Sequence, residues 1–200
     1  MLFRSQQDFL LLGIDQLVNT YNLIRRRKPE SSFTIVNVVV DSGYEGPQSA
    51  LNNFYDFCSI ARISGFTVTN KSDVEKIIPS ELVKPGFRII CVSQRLFNDD
   101  LIVPEKLEYV NEKNTVFNYG IGKDVTIVCF NLSFPYGFEL SKKLKTVNIS
   151  SSLFTVNSPI ENEWPKIIED VKRTKKLVVF EDSKSINTNM TSLLTDILSS

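Results

Sequence analysis

The sequence predicts an α/β protein built from two parallel-sheet units, and two features of the chain support this prediction. Short runs composed almost entirely of apolar and β-branched residues, such as 33–40 (FTIVNVVV) and 177–180 (LVVF), are typical of strands that are covered on both faces. These runs alternate with helical patterns, which indicates βαβ units and parallel pairing. The 200 residues, 42% of them hydrophobic, are enough for one large or two small domains.

The first unit, which we place at residues 1–96, begins with a helix whose apolar residues recur at helical spacing over 7–26. Four consecutive basic residues, 25–28, close the helix. They either stabilise its C-terminal end through the helix dipole or form a site for a phosphate or a partner. Pro29 ends the helix. The remaining predicted elements are a strand at 33–40, a helix near 53–59, a strand at 66–69, a helix opened by a capping box of Ser72 and Glu75 and ended early by Pro79, and a strand at 87–92.

Residues 97–121 are polar and weakly periodic, and we interpret them as a linker between two domains. The second unit, at 122–200, again alternates strand-type and helix-type segments. Its predicted elements are a strand at 124–130, a helix at 135–144, a strand at 146–149, a helix opened by a capping box of Ser158 and Glu161, a strand at 177–180 and a helix at 189–198.

The composition excludes several classes of function. Lysine plus arginine equals aspartate plus glutamate at 23 each, so the chain has no basic field for nucleic acid or for a membrane surface. The absence of histidine excludes His-based triads and His-ligated zinc sites. Cys58, Cys91 and Cys129 lie in apolar runs, and we interpret them as core residues of a protein from a reducing compartment, the cytoplasm or an organelle matrix.

The loop at 43–48 (GYEGPQ) is the best candidate site by position. It directly follows the predicted strand at 33–40, and ligands of α/β proteins bind beyond the carboxyl ends of parallel strands. Its glycines also permit an ordinary turn, and position alone does not separate these two interpretations.

Several segments together resemble one family. They are 8–10 (DFL) with 14–19 (IDQLVN), 43–48, 122–128 (GKDVTIV), 158–172 and 177–181 (LVVFE). In this order and spacing they are similar to the beta subunit of the thiamine-diphosphate-dependent decarboxylase of 2-oxo acid dehydrogenase complexes, within the transketolase-like family. The resemblance covers almost the whole chain, and its individual motifs are short.

The resemblance implies two Rossmann-like units. They are an incomplete pyrimidine-binding domain at 1–96 and a transketolase C-terminal-like domain at 122–200. It also implies thiamine diphosphate as cofactor, with the magnesium ion held on a partner chain. In the family pattern, Phe9 matches the aromatic residue that stacks on the pyrimidine ring, and Ser5 stands at a polar position beside that ring.

The resemblance places a loop near the cofactor site. Its matching residues in this chain are Gly43, Gly46, Gln48 and Ser49. Ser49 stands where the family usually has histidine, and the sequence holds no counterpart of the glutamate that activates the cofactor upstream of the Asp-Phe motif. No residue is therefore assigned a catalytic or metal-binding role.

Three functions remain open at this point. The chain is a subunit or fragment of such an enzyme, inactive alone and completed by partner chains, or a degenerate non-catalytic relative with an assembly or regulatory role. The third possibility is an unrelated doubly wound domain that binds a small ligand. We also expect a homo- or hetero-oligomer, with the first helix making the contact through Ile14, Leu17, Val18 and Tyr21.

Overall fold

The computed structural model describes residues 2–41, 52–97, 100–159, 163–183 and 187–200, which form two sheets with flanking helices. The first sheet is parallel throughout, in the order β1-β2-β4-β3. Its elements are β1 (Leu2–Gln6), α1 (Gln7–Arg27), β2 (Ser32–Val39), α2 (Phe54–Ala61), β3 (Ser64–Val68), α3 (Lys71–Glu81) and β4 (Gly86–Ser93), followed by a short 3₁₀ turn, Gln94–Phe97.

The second sheet has the order β5-β6-β8-β7-β9. The strands β7, β8 and β9 are parallel, and β5 and β6 are antiparallel to their neighbours. The elements are β5 (Tyr109–Val110), β6 (Val116–Gly120), β7 (Val125–Phe130), α4 (Phe134–Thr146), β8 (Ser151–Val156), α5 (Pro165–Thr174), β9 (Leu177–Phe180) and α6 (Thr188–Ser199). The two sheets confirm the predicted α/β class with parallel pairing.

The segment 97–121, which we expected to be an irregular linker, contributes two strands to the second sheet. Residues Val116–Gly120 pair with β8, and Tyr109–Val110 extends the sheet as its edge strand. These strands were concealed because polar residues surround them and Asn118 interrupts the short apolar run of β6, although Val116, Phe117, Asn118 and Tyr119 are all buried. The division into two domains at these boundaries stays a prediction.

Four local predictions were wrong. Asn70, not Ser72, caps α3: its side chain accepts hydrogen bonds from the amides of Ser72 and Asp73, and the Asp73 carboxylate accepts from the amide of Asn70. Pro79 lies inside α3, which continues to Glu81. The missing amide of Pro79 falls in the last turn of the helix, where its loss costs a single backbone bond.

The other two errors concern the second unit. The strand predicted at 146–149 is observed at Ser151–Val156, because α4 extends to Thr146 and the apolar Val147 is 62% exposed rather than buried. The helix predicted to begin at Ser158 begins at Pro165, a residue suited to the first helical position, while 160–162 lie outside the described residues.

The structure corrects the oligomer contact that we predicted on the apolar face of α1. Leu17 is buried in the core that α1 and α2 form with this sheet, and Ile14, Val18 and Tyr21 pack against the same core. The apolar face of α1 that we expected to bind a partner is therefore used inside the chain. Cys58, Cys91 and Cys129 are buried and unpaired, which confirms their interpretation as core residues.

Candidate functional site

The carboxyl ends of strands from both sheets meet at one place. Asp41 follows β2, Ser93 ends β4, and Asp182 follows β9. The backbone amide of Leu132, just after β7, donates to Asp182 at 3.3 Å, and Asn52 of the first unit donates to the same carboxylate at 3.0 Å. Since ligands of parallel α/β sheets bind beyond the carboxyl ends of the strands, this junction is the candidate functional site.

An ion pair between Arg95 and Asp41 lies in the junction. The Nη2 and Nε atoms of Arg95 donate to Oδ2 of Asp41 at 2.7 and 3.1 Å, and Oγ of Ser93 donates to the same carboxylate. On its other side Arg95 donates through Nη1 to the hydroxyl of Tyr136, in the first turn of α4, at 2.8 Å. The guanidinium of Arg95 thus connects the first sheet with the helix that follows β7.

Two neighbouring carboxyl groups follow β9. Glu181 accepts from Nδ2 of Asn131 at 2.6 Å and from the backbone amides of Asp182 and Ser183. Burial, and then the charge of Glu181, raise the pKa of Asp182 to about 6. In a chain without histidine, Asp182 is consequently a group that changes charge close to neutral pH.

A second buried carboxyl group, Asp73, lies where α3 meets the second sheet. It accepts from the hydroxyl of Thr69 at 2.8 Å, from Nδ2 of Asn70 at 3.2 Å and from Nδ2 of Asn157 at 2.9 Å. Burial outweighs these donors and raises the pKa of Asp73 to about 6. Asn70 also donates to the hydroxyl of Tyr119 on β6, at 3.0 Å. The cluster is a polar connection between the two sheets.

A cavity of about 140 Å³ adjoins the ion pair. Its walls combine polar side chains at the ends of β3 and β4 with apolar residues of the second unit, including Thr69, Ser93, Arg95, Leu132 and Pro135. Pockets for ligands of cofactor size usually exceed about 300 Å³, so this cavity suits water or a small polar group.

The structure places the predicted site residues as follows. Phe9 lies in the first turn of α1, directly after the carboxyl end of β1, and is 54% exposed. Ser5 lies in β1, paired in register with Asn37 of β2. Because β1 and β2 are parallel neighbours, the start of α1 and the loop after β2 leave the sheet at the same edge. The loop residues Gly43, Gly46, Gln48 and Ser49 lie outside the described residues.

The ring of Phe9 fits one end of thiamine diphosphate. The exposed ring of Phe9 offers an apolar face for stacking. Gln7, two residues earlier in α1, is buried on another face of the helix: its Oε1 accepts from the amide of Asn53 at 3.0 Å, and its Nε2 has no hydrogen-bond partner among the described residues. In the described ranges no group of three or more metal-ligating side chains is present to hold magnesium and the diphosphate.

Sequence reasoning did not identify Asp41, Arg95, Asp73 or Asp182 as site residues. Asp41 immediately precedes the glycine-containing loop, and this position was the signal available for it. The others come together through strand order rather than through spacing in the chain. In the part of the chain that the structure describes, no helix combines the length and apolarity required to cross a bilayer.

No protein-family model matches the chain. The beta subunit of the pyruvate dehydrogenase E1 component from Rhizobium meliloti (strain 1021) is 22% identical over 181 residues, which are 88% of this chain and 39% of that protein. A solved split-gene transketolase, an inactive beta4 tetramer, has a TM-score of 0.65 at 16% identity, covering 99% of this chain and 62% of its own. Transketolase from Campylobacter jejuni subsp. jejuni NCTC 11168 has a TM-score of 0.65 at 11% identity, covering 100% of this chain and 35% of its own.

The chain thus spans less than two thirds of the length of each of these relatives. The structural likeness extends over nearly all of the chain and includes both sheets. The chain is therefore transketolase-like in fold and similar in sequence to a pyruvate dehydrogenase E1 beta subunit.

Proposed function

We propose that the chain is a subunit or fragment of a thiamine-diphosphate-dependent enzyme of the 2-oxo acid dehydrogenase and transketolase type, inactive alone and completed by partner chains. The observation that carries the proposal is Phe9. This residue belongs to the Asp-Phe segment that resembles the family, and its ring is half exposed at the carboxyl edge of the first sheet. The E1 beta similarity over most of the chain supports the same proposal.

In this proposal the chain holds the ring end of the cofactor. Phe9 stacks on the pyrimidine, and Ser5 and the loop with Gly43, Gly46, Gln48 and Ser49 complete the surroundings. Residues 1–96 form part of a pyrimidine-binding domain and 122–200 the C-terminal domain. Bound thiamine diphosphate would supply the carbanion chemistry that cleaves a bond next to a carbonyl.

In this proposal the isolated chain is inactive because it relies on a partner chain for proton transfer. General acid-base catalysis by a placed side chain contributes about 10²–10⁴ in rate, and no carboxyl group in the sequence matches the activating glutamate of the family. A partner chain would supply that glutamate, the magnesium ion and the diphosphate site. The split-gene transketolase is itself a tetramer of beta chains, described as inactive.

The test is cofactor binding to the assembled protein. The full chain is mixed with a candidate partner encoded by a neighbouring gene, and titration calorimetry measures binding of thiamine diphosphate with Mg²⁺. We expect binding by the mixture and none by the chain alone. Phe9→Ala should weaken the affinity at least about tenfold, the loss of one aromatic stacking contact.

Leu11→Ala is the matched control, since Leu11 is 60% exposed in the same turn of α1 but lies on another side of the helix. Its affinity should stay within about twofold of the unaltered chain, which is less than half a kcal/mol. The proposed role of Phe9 would be contradicted if both substitutions changed the affinity for thiamine diphosphate equally, or if neither changed it.

The second candidate function is that of a non-catalytic relative that assembles with or regulates an active enzyme. The absence of histidine, including at Ser49, favours it. In that case the chain should form a stable complex with an active relative, and Phe9→Ala should change neither the complex nor its activity.

A further inference from the structure

We infer that a cavity beside helix α2 binds a small zwitterion, a molecule that carries one carboxylate and one ammonium group. The cavity has a volume of about 490 Å³, which lies in the range of roughly 300–1,000 Å³ typical of pockets for small molecules. Residues of α2 and of the turn after it line the cavity, together with Pro159, after β8, and Thr188, the first residue of α6. We call it the α2 cavity. A ligand bound there contacts both units.

Two side chains of opposite charge line the α2 cavity, and neither is paired. Arg62 is exposed and Asp56 is half-buried. Within the described ranges, neither side chain makes a hydrogen bond or an ion pair. An ion pair between the two would neutralise both charges, but it is not formed. A ligand that carries both charges can satisfy Asp56 and Arg62 at once.

The backbone of Arg62 is held in place at the cavity. Arg62 is the C-terminal cap of α2, with a φ of 53°, and its amide donates to the carbonyl oxygens of Cys58 and Ser59. The guanidinium therefore extends from a defined point of the wall. Its planar fork of N–H donors matches the geometry of a carboxylate, which it can bind through two parallel hydrogen bonds.

The two charges also determine which ligands the cavity rejects. A simple anion that binds Arg62 would lie near the unpaired carboxylate of Asp56, and a simple amine that binds Asp56 would lie near the guanidinium. Like charges brought together in this way oppose binding, so the cavity discriminates against molecules with a single charge. Ile63 and Pro159 add apolar surface to the wall, which suits a short aliphatic chain between the charged groups of the ligand.

A wall residue connects the α2 cavity with the carboxyl groups that follow β9. The hydroxyl of Tyr55 accepts a hydrogen bond of 3.3 Å from Nδ2 of Asn187. The same nitrogen donates to Glu181, the residue before Asp182. Since a ligand in the cavity contacts both units and this hydrogen-bonded chain, its binding should raise the temperature of thermal unfolding.

Titration calorimetry of the full chain tests the inference. The probes are glycine, γ-aminobutyrate and ε-aminocaproate, three zwitterions of increasing length. We expect at least one of them to bind saturably, with a dissociation constant below about 1 mM. The alkyl carboxylate and the alkylammonium ion of the same length should each bind at least about tenfold more weakly. The inference would be overturned if none of the three zwitterions bound, or if the carboxylate bound as tightly as the zwitterion. It does not rest on the proposed function, and its test requires neither thiamine diphosphate nor a partner chain.

Two variants test the roles of the charged side chains. Arg62→Gln should weaken binding of the tightest zwitterion at least about tenfold, because it removes the charge that pairs with the carboxylate. Arg26→Gln is the matched control, since Arg26 is an exposed arginine of α1 that does not line the cavity. It should change the affinity by less than about twofold. Equal effects of these two substitutions would overturn the inference.

Asp56→Asn tests the selectivity for a zwitterion separately from the overall affinity. The substitution removes the partner of the ammonium group and also the repulsion of a simple anion. The affinities of the zwitterion and of the carboxylate of the same length should therefore come within about threefold of each other. An unchanged preference for the zwitterion in Asp56→Asn would overturn the assignment of Asp56, and with it the inferred ligand class.

Discussion

The side-chain amide of Asn157 donates a hydrogen bond of 2.9 Å to the carboxylate of Asp73, across 84 positions of the sequence. Asn157 directly follows β8 of the second sheet, and Asp73 lies in the first turn of α3, which packs on the first. Both side chains are fully buried. The backbone carbonyl of Asn157 also accepts from the amide of Thr67 on β3, at 2.8 Å, so Asn157 is bonded to both α3 and β3.

Asn157→Ala should lower the free energy of unfolding by about 1–3 kcal/mol, because it removes a donor from a carboxylate that water does not reach. Urea denaturation measures the change. Asn19→Ala is the control: Asn19 makes the same type of hydrogen bond to Asp15, at 3.2 Å, but on the exposed surface of α1. Its effect should stay within about 0.5 kcal/mol. Equal losses in the two variants would mean that the contact with Asp73 contributes nothing particular to stability.

Stability should fall as the pH rises from about 4 to 6. Burial raises the pKa of Asp182 from 3.8 to about 6, so in this window the folded state binds more protons than the unfolded state. The contribution of Asp182 is present in full below pH 4 and is lost as the pH rises through 6. Two pKa units correspond to on the order of 3 kcal/mol. Asp73, with its pKa raised to about 6, acts in the same direction.

Asp182→Asn should therefore reduce, but not abolish, the decrease of stability between pH 4 and 6, since the amide cannot ionise and Asp73 still titrates. Thermal unfolding between pH 4 and 7 measures the slope of stability against pH. Leu11→Ala, which changes no ionisable group and lies on the exposed surface of α1, is the control and should leave the slope unchanged. A slope that is the same in Asp182→Asn and in the unaltered chain would show that Asp182 does not titrate in this window.

Two apolar runs were predicted closely from sequence. The run 33–40 is observed as Ser32–Val39, a central strand of the first sheet, and 177–180 is observed as Leu177–Phe180, which is half-buried at the edge of the second sheet. In both positions an uninterrupted apolar and β-branched run indicates a strand. The antiparallel strand Val116–Gly120 gave no such signal, since its segment mixes apolar residues with Asn118 and Gly120. Helix starts were misplaced where two capping sequences lie close together, as with Asn70 and Ser72.

The candidate site was predicted only in part, for a reason of topology. Asp41, Arg95 and Asp182 meet because β2 and β4 are neighbours and the end of β9 faces them from the second sheet. Strand order is not encoded in the spacing of residues along the chain. The roles of Phe9, Ser5 and the loop residues at a cofactor site were predicted from the resemblance to a family, and they stay predictions.

The Arg95 ion pair leads to a prediction about the connection between the units. The side chain of Asp41 is 14% exposed and that of Arg95 is 26% exposed, so solvent screens the pair only in part. Arg95→Ala should cost about 1–3 kcal/mol, because it leaves a largely buried carboxylate with Ser93 as its donor. Tyr136→Phe removes one hydroxyl and keeps the ring beneath the guanidinium, so it should lower the free energy of unfolding by about 1 kcal/mol. Urea denaturation measures the loss of stability in both variants. A larger loss for Tyr136→Phe than for Arg95→Ala would contradict the prediction.

Two helical glycines should respond in opposite directions to the same substitution. A Cβ at Gly137, in α4, would overlap Sγ of Cys129 and approach the side chains of Ile127 and Leu153 to 3.3 Å. Gly137→Ala should therefore lower stability by about 1–3 kcal/mol despite the better helix propensity of alanine. A Cβ at Gly13, in α1, meets nothing within 4 Å, and Gly13→Ala should raise stability by up to about 1 kcal/mol. Thermal unfolding of both variants measures this difference. Stabilisation by both substitutions would mean that α4 shifts away from the second sheet at little cost, and that close packing at Cys129 does not fix its position.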